Sequence, residues 1–185
     1  MILLLAGLAL LIGVHLIPSF PALRMRLASG LGEWPYMGAF ALVSLIGLYF
    51  IITGFADAPV VALWHPPEWS RIVPQALMLP AFILLVAAYV PGNLKRLTPN
   101  PMLWGVTLWS ASHLAANGDL AGSILFGALG LYALYAIRSG KRRGISRVQK
   151  RGPVLGDFIA LTGGTALYIF VFMNHATLFG VAIGA

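Results

Sequence analysis

The sequence predicts an all-α polytopic membrane protein, and three observations lead to that fold class. Of the 185 residues, 59% are apolar and only 9% are charged, and the mean hydropathy is +0.89. These values lie outside the range of soluble proteins. Several apolar runs reach the roughly 20 residues that cross a bilayer core of about 30 Å. Basic residues gather in alternate loops, and we find no soluble domain, so residues 1–185 are predicted to form one integral membrane domain.

Six transmembrane helices are predicted, separated by proline, glycine or charged residues. The first run, "MILLLAGLALLIGVHLIPSFPALR", looks at first like a signal peptide. No basic residue precedes it and two follow, Arg24 and Arg26. This asymmetry favours an uncleaved anchor with its N-terminus outside. The predicted spans are residues 1–17, 35–56, 72–90, 101–116, 119–138 and 155–179.

Two connections contain features of their own. In "PSFPALRMRLASGLGEWP", Leu23, Leu27 and Leu31 recur at helical spacing, which predicts a short helix on the inner membrane surface. The segment "FADAPVVALWHPPEWSR" is predicted to be an outer loop, with Trp64 and Trp69 as interfacial anchors.

The fourth and fifth spans are joined only by "ANGD", which predicts a tight antiparallel hairpin. Asn117-Gly118 is a strong turn signal because glycine is free to take a positive φ, and Asp119 can cap the following helix. Small residues along the hairpin would let the helices approach each other or a flat ligand closely. They are Gly105, Ser110, Ala111, Ser112, Gly122, Ser123 and Gly127.

The basic residues indicate orientation. Eleven of the twelve fall in alternate loops, and only Arg71 falls on the other side. The positive-inside rule then places the basic loops in the cytoplasm and both termini outside. The run "RSGKRRGISRVQKRGP" is predicted to be a cytoplasmic loop. The net charge of +7 is therefore predicted to meet anionic membrane lipid and not nucleic acid.

The histidines are the candidate functional residues. The chain has no cysteine, which excludes disulfides, iron–sulfur clusters and thiolate-bound metals. Counted from the cytoplasmic edge, His15 lies about 13 Å deep, His113 about 18 Å and His175 about 28 Å. Ionisable groups within a bilayer are costly and are usually functional. A structural histidine bonded to a neighbouring helix is the alternative, and His65 is predicted to be a solvated loop residue.

Two imidazoles at similar depth on separate helices suit the two axial positions of a haem iron. Zinc or copper would require a third or fourth ligand, which the sequence does not supply. Trp109 flanks His113 as a possible porphyrin neighbour, although such residues are ordinary in membrane helices. Arg24 and Arg26 could pair with haem propionates if the first helix continues past Pro18, or could be ordinary interfacial charges.

The segments "HLIPSFPALR", "NPMLWGVTLWSASHLAANGDLAGSILFG" and "NHATLFGVAIG" resemble the NnrU family of bacterial membrane proteins. The first two also resemble the related zeta-carotene cis-trans isomerase. The resemblance implies a multispanning inner-membrane protein that carries haem b, with His15 and His113 as the axial ligands. Trp109, Ser110 and Asn117 lie in the second motif and are included in the predicted cofactor site.

Two departures from the isomerase pattern bear on activity. The isomerase has a cysteine, proposed to exchange as a ligand, three residues before its second histidine, where this chain has Ser110. Its hairpin opens with His-Pro, where this chain has Asn100-Pro101. The resemblance implies redox-dependent isomerisation of an apolar polyene. The alternatives are electron transfer, with a quinone as a possible partner, or haem handling in support of nitrite and nitric oxide reduction. A structural assembly factor without haem is a third hypothesis.

Overall fold

The computed structural model describes residues 1–98, 100–144 and 151–180. These residues are almost entirely helical and contain no β-strand, which confirms the predicted all-α class. Three short 3-10 turns, Ile17–Ser19, Glu68–Arg71 and Leu94–Arg96, lie between helices. The helices are α1 (Ile2–Leu16), α2 (Pro21–Leu31), α3 (Glu33–Ala56), α4 (Ile72–Ala87), α5 (Pro101–Ala116), α6 (Leu120–Arg142) and α7 (Val154–Phe179).

Five helical stretches among the described residues are long and apolar enough to cross a membrane, as in a multi-pass membrane protein. They are Ile2–Ser19, Glu33–Ala56, Glu68–Ala87, Leu120–Arg142 and Val154–Phe179, and each matches one predicted span. The remaining predicted span, 101–116, forms α5. Its 16 residues rise about 24 Å, less than the bilayer core of about 30 Å. A sixth crossing therefore stays a prediction.

Two prolines and a glycine determine where the helices between residues 16 and 33 begin and end. The α-helical part of α1 ends at Leu16, because Pro18 falls in a 3-10 turn instead of extending the helix. Pro21 occupies the first turn of α2, where a missing N–H costs nothing. Gly32, with φ of +88°, separates α2 from α3. The short helix predicted here is confirmed, but α1 does not carry straight on to Arg24.

Helix α6 extends beyond its predicted end. The prediction ended this span at residue 138, whereas the helix continues to Arg142. Residues 139–142 contain no proline, and Lys141 and Arg142 favour helix, so the single glycine, Gly140, does not end the helix. The first part of the predicted basic loop is therefore helical. Residues 145–150, which include Arg147 and Lys150, lie outside the described residues.

Helices α1 and α3 pack against each other backbone to backbone. A Cβ atom built at Gly54 would lie 2.2 Å from the Leu4 nitrogen, and one built at Gly7 would lie 2.6 Å from the Ile51 nitrogen. Only glycine allows approaches this close. We call these two helices the α1–α3 pair, and the glycines make them one tightly packed unit.

The remaining long helices form a second unit, the α4–α7 group, in which α5 packs between α4 and α6 while α7 packs on α4. A Cβ built at Gly105 would lie 3.0 Å from the Ala81 oxygen on α4, and one built at Gly130 would lie 3.0 Å from the Ser110 Cβ. The small residues of α5 thus allow close packing against α4 as well as against α6. A buried core joins this group to the α1–α3 pair; it consists of Leu4, Leu8, Ile51, Ala121, Leu125 and Phe126.

The turn between α5 and α6 is tied to the preceding loop. The Gly118 oxygen accepts hydrogen bonds from the Leu63 nitrogen at 2.7 Å and the Trp64 nitrogen at 3.1 Å. Gly118 does not take the positive φ that the sequence predicted. It is needed because a Cβ there would lie 2.0 Å from the Trp64 oxygen. The predicted cap is confirmed, since an Asp119 carboxylate oxygen accepts from the Gly122 nitrogen at 2.7 Å.

Candidate functional site

His15 lies in the last turn of α1. Its Nδ1 is 2.8 Å from the Leu11 carbonyl oxygen. Because that oxygen can only accept, a neutral ring donates from Nδ1 and keeps the Nε2 lone pair. The ring lies 5.0 Å from that of Phe40 and 6.1 Å from that of Tyr132, centroid to centroid. The Tyr132 hydroxyl donates to the His15 carbonyl oxygen at 3.2 Å, which joins α6 to α1.

His113 repeats the same local arrangement on α5. Its Nδ1 lies 2.9 Å from the Trp109 carbonyl oxygen, so Nε2 is again the nitrogen left with a lone pair. Phe126 stacks on the imidazole at 4.5 Å with an interplanar angle of 24°. The Trp109 ring lies 5.2 Å away. His113 is half-buried against α6, with an aromatic ring covering one face.

The two histidines meet α6 at different levels. His15 contacts Tyr132 and His113 contacts Phe126, and six positions of helix separate these partners by about 9 Å. The sequence estimate of their depths differed by only about 5 Å. Leu11, one turn before His15, packs against the buried core. The two imidazoles therefore contact α6 almost two helical turns apart.

Trp109 and Ser110 lie on either side of the contact between α5 and α6. The Trp109 ring meets the Phe126 ring edge to face at 4.8 Å and 70°. Ser110 is 1% exposed and faces Gly130. Its Oγ is the one buried side-chain polar atom without a hydrogen-bond partner among the described residues. Such atoms are rare in folded proteins and are candidates for an interaction with a ligand.

Asn117 ends α5 one turn beyond His113. Its backbone N–H donates to the His113 carbonyl oxygen at 2.8 Å. Its side chain lies near the start of α6, with Nδ2 3.3 Å from a Cβ built at Gly122. The residue thus holds the turn next to His113, and its described contacts are structural.

The two arginines predicted to meet haem propionates lie on α2. The Arg24 guanidinium forms an ion pair with Glu33 and lies over the Tyr36 ring at 5.8 Å from its centroid. Arg24 is thus directed towards α3, because the break after α1 reorients the chain that carries it. Arg26 is exposed.

His175 and His65 differ in their surroundings. His175 lies on α7 within electrostatic range of His113, with the Phe179 ring 4.9 Å away. Sequence reasoning missed this proximity, because it depends on the packing of α7. His65 is exposed in its loop, as predicted. No group of three or more histidine, aspartate or glutamate side chains that could hold a metal ion occurs among residues 1–98, 100–144 and 151–180.

A narrow apolar groove of about 150 Å³ lies between α4 and α5, and Trp109 forms one end of its lining. Met78 and Phe82 line the α4 side, and Val106 lines the α5 side. The groove therefore lies beside the turn that carries His113. Its walls could contact an apolar segment of a ligand.

Comparison with known proteins gives a family for this architecture. The model of the family described as "NnrU protein" matches residues 3–183, nearly the whole chain. No curated protein and no solved structure matches significantly. A match of this length covers the helices that carry His15, His113 and His175 alike, and the chain therefore belongs to the NnrU family.

Proposed function

We propose that this protein binds haem b between α1, α5 and α6, with His15 and His113 as axial ligands. One observation carries the proposal: both half-buried imidazoles are held at Nδ1 by the carbonyl of the preceding turn. Metal-ligating histidines commonly have this second hydrogen bond, which orients the ring and leaves Nε2 for the metal. The haem would supply one-electron chemistry, or ligand binding when one axial position is open.

A shift of the α1–α3 pair against α6 would let both imidazoles reach one iron. The glycine contacts hold α1 firmly to α3, whereas α1 meets α6 along a narrower strip. The shift would separate Leu11 and Ile12 from the core around Phe126. The proposal therefore places the movement at the contact between α1 and α6 and keeps both packed units intact.

The proposed topology has six crossings, with α5 and α6 as a tight hairpin. A paired series of contacts supports antiparallel packing: Ser110 lies against Gly130, and Asn100 lies near Gly140. Helix α5 would then cross most of the bilayer between α4 and α6, within the bacterial inner membrane. Both termini would be periplasmic, and the basic end of α6 would face the cytoplasm.

Redox-dependent cis-trans isomerisation of an apolar polyene is the first candidate activity. The groove between α4 and α5 favours it, because its apolar lining reaches Trp109 beside His113. Carotenoid isomers in membranes under reducing conditions provide the test. We expect the cis/trans ratio to change only with the wild-type protein, and an unchanged ratio would reject this activity.

Electron transfer or haem handling in support of nitrite and nitric oxide reduction is the second candidate. Ser110 favours it, because this hydroxyl stands where the isomerase has the cysteine proposed to exchange as a ligand. Ser110 also packs towards Gly130 on α6. Mixing a reduced quinone with the oxidised protein tests the candidate. Reduction of the haem, or transfer of haem to an acceptor, would support it if no carotenoid is turned over. The absence of both haem reduction and haem transfer would reject it.

Haem content tests the underlying proposal most simply. The full chain is purified in mild detergent from cells supplied with a haem precursor, and haem b is measured against protein. We expect about one haem per chain and an absorption spectrum that shifts on reduction. A pure, monodisperse protein without haem would overturn the proposal and favour an assembly role.

A further inference from the structure

A second opening lies at the opposite end of α5 from His113, independent of the proposed haem site. It is a cleft of about 610 Å³ where α4, the start of α5 and the end of α6 meet. Its apolar lining comes from Leu84 of α4, Trp104 of α5, Ile137 of α6, and Leu97 in the connection before α5. Pockets of a few hundred Å³ with apolar walls are typical of ligand sites.

The cleft is apolar within and polar at one end. Lys141 and the Asn100 side chain line this polar end. The Asn100 side chain lies beside the last turns of α6, where its Nδ2 would be 3.5 Å from a Cβ built at Gly140, an ordinary van der Waals contact. An ammonium and an amide can both donate hydrogen bonds to an oxyanion. The cleft therefore matches an amphiphile with an apolar tail and an anionic head.

Basic residues predominate around this end. Arg138, Arg142 and Arg143 accompany Lys141 on the last turns of α6 and the residue after it. Asp157, which follows the basic connection, has its carboxylate engaged by the Asn93 side chain at 2.7 Å and the Leu94 nitrogen at 2.8 Å. The only ion pair in the part of the chain that the structure describes joins Arg24 and Glu33. Lys141 is thus available for an external anion.

We propose that this cleft binds one anionic phospholipid from the surrounding bilayer. An acyl chain lies against Trp104, Leu84 and Ile137, and the phosphate accepts hydrogen bonds from Lys141 and Asn100. Basic pockets between transmembrane helices bind lipid headgroups in this way, and the attraction adds to that of the exposed arginines nearby. Lys141 is the determinant of headgroup charge, and Trp104 is the determinant of chain binding.

The experiment compares lipid binding by matched variants of the full chain. Wild-type protein is reconstituted in phosphatidylcholine vesicles that carry a trace of either spin-labelled phosphatidylglycerol or spin-labelled phosphatidylcholine. Lys141→Ala is paired with Arg142→Ala, an identical charge change at the next position outside the cleft. Trp104→Ala is paired with Trp34→Ala, which alters an exposed tryptophan on α3. Circular dichroism and gel filtration first confirm that each variant is folded.

We expect wild-type protein to restrict phosphatidylglycerol selectively. Lys141→Ala should lower that selectivity about tenfold, and Trp104→Ala should reduce binding of the labelled phosphatidylglycerol, while both control variants keep wild-type behaviour. Equal binding of the two lipids by wild-type protein would overturn the proposal. So would equal losses in Lys141→Ala and Arg142→Ala, which would indicate diffuse surface charge, or unchanged binding in folded Trp104→Ala. None of these results depends on haem content.

Discussion

His15 and His113 share one local arrangement but lie in different packed units. Each places Nδ1 against the carbonyl oxygen four residues earlier, at 2.8 Å and 2.9 Å respectively. His15 belongs to the α1–α3 pair and has Phe40 of α3 beside it. His113 belongs to the α4–α7 group and is stacked on Phe126 of α6. The helix backbone sets the ring's hydrogen bond, whereas the packing of distant segments decides what its open nitrogen can reach.

This difference has a consequence for the proposed haem site. Each unit holds one imidazole whose Nδ1 is fixed by a helix carbonyl. The units meet where α1 packs on α6 and where Phe55 of α3 meets Phe126 of α6. If the imidazoles share an iron, we expect this boundary to adjust while the interiors of both units stay unchanged. Substitutions within a unit should therefore affect stability more than substitutions at the contact between units.

The largest effect is expected from Gly54→Leu within the α1–α3 pair. A Cβ at this position would lie 2.2 Å from the Leu4 nitrogen, so α1 must move away from α3. We expect the free energy of unfolding to fall by about 3 kcal/mol, measured by denaturant titration in detergent. Gly38→Leu is the matched control, because a Cβ at Gly38 meets nothing within 4 Å. Equal stability of the two variants would show that α1 and α3 are not packed this closely.

A somewhat smaller effect is expected from Phe126→Ala in the α4–α7 group. The Phe126 ring is 5% exposed and contacts both Trp109 and His113. Lipid is as apolar as a protein core, so the loss comes mainly from the cavity, and we expect about 2 kcal/mol. Phe158→Ala, at a residue 62% exposed on α7, is the control for thermal unfolding in the same detergent. A Phe126 variant as stable as this control would contradict the stacking.

The sequence predicts the local features of this fold well. The apolar runs and the proline positions predict the helices, and Asp119 predicts the cap on α6. Each of these features depends on residues close together in the chain. The close contacts at Gly7 and Gly54 depend on which helix lies opposite. A glycine in a transmembrane run has no sequence signal that identifies its partner. The hydrogen bond from the Trp64 nitrogen to the Gly118 oxygen could not be predicted from the sequence for the same reason.

The candidate site is predictable only in part. The sequence identified His15 and His113 as ionisable residues within apolar helices. It placed them at similar depth because it counted each from an assumed membrane edge, and small errors in those edges add together. Their contacts with Tyr132 and Phe126 give a wider separation along α6. The approach of His175 to His113 required the packing of α7, which no local pattern encodes.

The smallest effect is expected at the contact between the units. Tyr132→Phe removes the hydrogen bond from its hydroxyl to the His15 carbonyl oxygen, which is 3.2 Å long. Hydrogen bonds between transmembrane helices contribute about 0.6 kcal/mol on average, so we expect a loss of that size. Tyr135→Phe, at an exposed tyrosine of α6, is the control. A loss in Tyr132→Phe as large as that in Gly54→Leu would mean that the two units form one rigid core.

The absorption spectrum of the purified protein, oxidised and reduced, tests most directly whether His15 and His113 bind one haem iron. We expect low-spin, six-coordinate haem in the wild-type protein and loss of the low-spin bands in both His15→Ala and His113→Ala. His175→Ala is the control and should keep those bands, because His175 is not one of the proposed ligands. Low-spin bands that persist unchanged in both His15→Ala and His113→Ala would contradict the account.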